Sequence, residues 1–117
     1  MSGDSLRISF DGIPADEVGL HVQALRGHIL DRFPEEVEVR LEKSNPNSQQ
    51  FFETLFIDGT AALLAHGVLK VIEHYHRERR QVTIRIEHGS LVAVLSGESD
   101  DVDAELAKLR EGMLESK

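Results

Sequence analysis

TAALLAHGVLKVIEHYHRERR, residues 60–80, reads as a helix that is apolar on nearly every side and closed by a knot of positive charge. On a wheel of 100° per residue with Phe51 at zero, Leu55 and Leu69 fall close to it. Phe56 and Leu63 lie about 130° away, and Ile57, Leu64 and Val68 lie further round. No polar face precedes Glu73. A helix apolar all round is either buried all round or spans a membrane.

The stretch from 57 to 75 approaches the spanning length of about 20 residues. It contains Asp58, Lys70 and Glu73, however, and each charge at that depth would cost roughly 2.5–3.5 kcal/mol. It is not expected to span a membrane. The apolar excess then needs a protein cover. Either the other helices of the chain wrap it and the protein is a monomer, or a second copy or a partner protein does. An open stripe of that length would exceed the few hundred Å2 that monomers expose, so the second cover is expected. The partner-binding residues are then Ile57, Leu64, Val68, Val71 and Tyr75, with Arg77, Arg79 and Arg80 as a docking patch for an acidic segment. The simpler reading of the basic tail is local. Cations at a helix C-terminus are favoured by its dipole, and Glu73 and Arg77 sit at i,i+4.

Working outward, Leu6, Ile8 and Phe10 alternate with Arg7 and Ser9, the period-2 pattern of a half-buried strand. Gly12 and Pro14 turn the chain into a helix carrying Val18, Val22, Leu25, Ile29 and Phe33 on one stripe, which Pro34 ends. Val37, Val39 and Leu41 give a second strand, and SNPNSQQ (44–50) a polar loop. The long helix is expected from about Gln50 to Arg80, with Asp58-Gly59 as its one candidate interruption. Val82, Ile84 and Ile86 form a third strand and Leu91–Leu95 a fourth, paired as an antiparallel hairpin. A closing amphipathic helix runs through Val102, Leu106, Leu109 and Met113, with Asp100 as its cap and Asp103 three residues on. The order β-α-β-α-β-β-α predicts an α/β (α+β) two-layer sandwich with a mixed four-stranded sheet. Its first two strands should be parallel neighbours, and a long central helix should cover the sheet.

The chain has 117 residues, a net charge of −8 and a pI near 5.1, and reads as a single domain, 1–117. Such a field repels phosphate backbones, and one Tyr with no Trp supplies no stacking platform, so nucleic acid is not an expected partner. Cysteine is absent, which removes disulfides and Cys-based zinc sites. No signal peptide is visible at the N-terminus, and the expected location is cytoplasmic.

No motif carries chemistry. GxSxG, P-loop and GxGxxG patterns are missing. His74 and His76 point about 160° apart on a helix. His21 and His28 share a face but lie about 10 Å apart along the axis, and nothing nearby completes Glu17 and His21 into a metal site. His66 reads as a satisfied buried or interface histidine. The acids of 98–103 lack the spacing of a calcium loop. No catalytic residue, metal or cofactor is expected. The alternative is a small-ligand-binding or enzymatic α/β domain with a pocket between sheet and helices, assembled from scattered residues.

LRISFDG, DRFPEEVEVRLE, HRERRQVTIRIEHG and SGESDDVDAELAKLREGM together resemble the effector-associated constant component family, small bacterial proteins linked with NTP-dependent conflict systems. The resemblance covers Leu6 to Met113. It implies a non-enzymatic adaptor or scaffold acting beside an effector, such as a peptidase, and it supplies no catalytic residue.

Overall fold

The computed structural model describes residues 4–44, 52–97 and 102–115. Its elements are β1 (Asp4–Asp11), α1 (Ala15–Arg32), β2 (Glu38–Ser44), β3 (Phe52–Gly59), α2 (Ala61–Leu63), a π-helical turn (Leu64–Val68), α3 (Leu69–Glu78), β4 (Thr83–His88), β5 (Leu91–Leu95) and α4 (Val102–Glu115). The five strands form one antiparallel sheet in the order β2-β3-β1-β4-β5. Through β4 this is the split β-α-β-β-α-β arrangement called ferredoxin-like, extended by β5 and α4.

The α+β two-layer class is as expected; the sheet is not. Residues 52–59 form a strand and not the start of the long helix. β3 lies between β1 and β2, so those two strands are not neighbours and the sheet is antiparallel. The physical reason lies in the residues. Phe, Thr and Ile favour the pleated surface, and Leu55 and Ile57 point into the core while Phe56 points out. The Arg40 guanidinium lies 5.1 Å from the Phe56 ring centroid on the open face. The expected loop residues 45–50 and the Asp100 cap lie outside the described residues.

One face of the sheet carries all three helical elements. Leu41, Leu55, Ile8, Ile86 and Ala93 line up across the five strands on that face. The core continues into Leu25 and Ile29 of α1, Leu69 and Ile72 of α3, and Leu106, Leu109 and Met113 of α4. The opposite face is polar and laced with ion pairs, Arg40–Asp58 at 3.1 Å and Arg7–Glu87 at 3.2 Å. Exposed pairs of this kind contribute about 0–1 kcal/mol each.

The helical run from Ala61 to Glu78 starts on Thr60, whose hydroxyl accepts the Leu63 amide hydrogen bond at 3.2 Å. It then widens by one residue: the Leu69 N–H donates to the Leu64 carbonyl, five residues back. Such a turn needs another partner for the backbone group it displaces. Arg110 of α4 supplies it, donating from Nε to the Ala65 carbonyl at 2.9 Å. Gly67 lies against Phe33, where a Cβ would stand 2.7 Å from Cζ of that ring.

The two edges of the sheet differ. At β5 the Val94 N–H, which faces away from β4, donates to the Glu105 carboxylate of α4 at 3.2 Å. Among the described residues no element lies beyond β2.

Candidate functional site

The five apolar residues expected to meet a partner are inside the molecule. Ile57, Leu64 and Val68 are fully buried, Tyr75 is 2% exposed and Val71 8%. A side chain already removed from water by its own chain offers a partner almost no area. The expectation of an open stripe is therefore corrected. The sheet, α1 and α4 together enclose the helix in one core. No helix among the described residues is long and apolar enough to cross a membrane.

The basic tail is used locally. Arg77 donates to Glu73 at 2.9 Å. The Arg79 guanidinium stacks 4.2 Å from the Tyr75 ring centroid, and its Nη1 stands 3.6 Å from Glu78, beyond hydrogen-bond reach. Arg80 is exposed in the turn before β4.

These placements define a groove of ≈ 730 Å3 on the outer side of the helix layer, between α1 and α3. Val71 and Tyr75 line it, with His28 and Arg32 on the α1 wall and Lys70 and His74 on the α3 wall. Of the eight expected partner-binding residues, Val71, Tyr75 and Arg77 line it and the other five do not. Glu73–Arg77 and His74–Glu78 pair along α3, whereas Arg32 and Lys70 form no ion pair among the described residues.

Beside the groove, the Tyr75 hydroxyl and His21 Nδ1 share a hydrogen bond of 2.8 Å. Phe10 meets Tyr75 edge-on at 6.3 Å, and the His28 ring lies 5.8 Å away. Burial pushes the Tyr75 phenol above its ordinary value, and the Arg79 charge pulls part of that back. Tyr75 thus stays neutral and acts as a hydrogen-bonding group. The sequence places His21 and His28 on one helix face and marks Tyr75 for a partner surface, but carries no signal that Tyr75 meets His21, 54 residues away. His66 is exposed and not buried. Lys70 is exposed too and lines the open groove, so these two do not meet in an enclosed cavity. Among the described residues no three His, Cys, Asp or Glu side chains gather closely enough to hold a metal ion.

His76 lies on the inner side of α3, 4% exposed, and its Nε2 has no hydrogen-bond partner among the described residues. Burial, then the Arg80 charge, holds its pKa below the ordinary 6.5, against a hydrogen bond with the Val82 backbone. The unfolded chain therefore takes up this proton first as pH falls. The stability tied to a neutral His76 is complete above about pH 6.5 and is lost as pH drops through that value toward the folded-state pKa. Urea denaturation at pH 7.5 and 5.5 should show lower stability at 5.5, and His76→Leu should lose less than the wild type. Equal losses would remove His76 from the account.

No family model, curated protein or solved structure matches the chain.

Proposed function

We propose that the protein is a non-enzymatic adaptor that docks a segment of a partner protein in the groove between α1 and α3. The observation that carries this reading is the groove itself. Its walls carry two exposed cations, Arg32 and Lys70, that form no ion pair among the described residues, together with Asp31, Glu73 and Glu78, above a floor at the nearly buried Val71 and Tyr75. It is an open furrow between two helices, a shape that suits an extended or helical segment laid along it. The Tyr75 hydroxyl, neutral and hydrogen-bonded to His21 beside the groove, offers recognition chemistry. The resemblance to the effector-associated constant component family supports the same reading. It makes an effector of a bacterial conflict system, such as a peptidase, the partner of choice.

The test is charge reversal at exposed positions. Tagged wild-type protein purified from its native cells should carry one partner in near-stoichiometric amount. The double variant Arg32→Glu, Lys70→Glu should lose that partner while melting within a few degrees of wild type, as expected for exposed surface substitutions. A wild type that purifies alone, or a variant that keeps its partner, would overturn the proposal.

A further inference from the structure

The open edge of the sheet carries a second interaction surface, independent of the groove. β2 runs from Glu38 to Ser44 with Leu41 at its midpoint. It is the outermost strand on its side, and among the described residues no helix or loop covers it. A strand edge with unpaired N–H and C=O groups is a template for another strand. The protein treats its two edges differently, since α4 closes β5 by placing Glu105 on the Val94 N–H. β2 has no proline and no bulge in its pairing with β3, and the strand at this edge includes the charged residues Glu38, Arg40, Glu42 and Lys43.

The sequence of β2 says what would pair there. Antiparallel overlap of two copies along the whole strand sets Leu41 opposite Leu41 of the other copy. Arg40 then stands opposite Glu42, and Glu42 opposite Arg40, so both flanking positions join opposite charges. A shift that centres the pair on Arg40 sets Arg40 against itself and, on both sides of it, Glu38 against Glu42, three like-charge pairs in all. Centring on Val39 leaves only residues 38–40 of each strand overlapped. Directly opposed like charges destabilise a strand pair and unlike charges stabilise it, so the charges select the full-overlap register. Arg40 is held in place by its bond to Asp58 through Nε and Nη2, and its Nη1 has no partner among the described residues. Val39 and Leu41, half-buried on the helix side, would lose their remaining contact with water.

We infer that the occupant of this edge is a second copy of the chain, joined β2 to β2 about a two-fold axis at Leu41, so that two five-stranded sheets become one. A single strand pair buries less than the area of a standard stable interface, so the dimer is concentration-dependent.

Sedimentation equilibrium up to about 0.5 mM, the range where an interface of this size assembles, should show mass rising from 13.1 kDa toward twice that value. Glu42→Lys sets a lysine against Arg40 and should weaken association roughly tenfold; Arg40→Glu, which sets a glutamate against Glu42, should do the same. Mixing the two variants restores opposite charges at both positions and should recover a heterodimer that neither forms alone. Circular dichroism on each variant separates lost pairing from lost folding. Monomeric wild type at 0.5 mM, unchanged association of Glu42→Lys, or a mixture of folded variants that stays monomeric would each overturn the inference. Reversing Arg32 and Lys70 should leave the mass unchanged, so failure of the groove and failure of the edge read out separately.

Discussion

Val68→Asp should abolish folding, not divide an assembly. Val68 sits in the π-helical turn with none of its surface exposed. A carboxylate there would have no partner among the core side chains around it, and an uncompensated buried charge costs about 3–5 kcal/mol. That is a large share of the 5–15 kcal/mol that holds a typical domain. Lys70→Asp, two residues on and exposed, changes a surface position and should shift stability by no more than about 0.5 kcal/mol. Far-ultraviolet circular dichroism and urea titration distinguish the two cases directly. A folded Val68→Asp protein of reduced mass would show that this helix face meets another molecule after all.

Gly97→Ala should destabilise less than Val68→Asp but in the same direction, through backbone contact. A Cβ at Gly97 would run into the Arg80 carbonyl oxygen, main chain that cannot swing aside as a side chain can. Removing a glycine normally stabilises by restricting the unfolded chain, by about 0.4–1 kcal/mol. Here the overlap dominates, and a net loss of about 1–3 kcal/mol is expected, the range for overpacked sites. The internal comparison is Gly27, in the middle of α1, where a Cβ would meet nothing within 4 Å. Gly27→Ala should raise stability by about 0.5–1 kcal/mol. Thermal melts of the pair should therefore move in opposite directions. Movement of both in the same direction would mean that the turn joining α3 to β4 does not pack on Gly97.

Much of the fold was legible because its pattern is local. β1 and β4 alternate buried with more exposed residues, β2 alternates half-buried with exposed ones, and α1 and α4 repeat apolar residues at steps of three and four. β3 was not legible. Leu55, Phe56 and Ile57 are consecutive and apolar because Phe56, on the open face, lies beneath Arg40. A short unbroken apolar run does not distinguish strand from helix. The strand at residues 52–59 is one source of the apparent surplus of oil, and the π-helical turn is another. Ile57 was counted on a helix to which it does not belong, and the widened turn at Leu64–Val68 shifts every later residue off a 100° wheel. The groove was partly legible: Val71 and Tyr75 stand out as parts of an apolar stripe and Arg77 as part of a basic docking patch. Its α1 wall, His28 and Arg32, depends on how two helices lie side by side, which no periodicity within either helix encodes.

The carboxylate of Glu105 on the Val94 amide also limits growth. A pair joined β2 to β2 would have β5 at both outer edges, where Glu105 accepts one backbone N–H, that of Val94. Addition stops at a closed pair, whereas a sheet with two extendable edges could propagate into a filament.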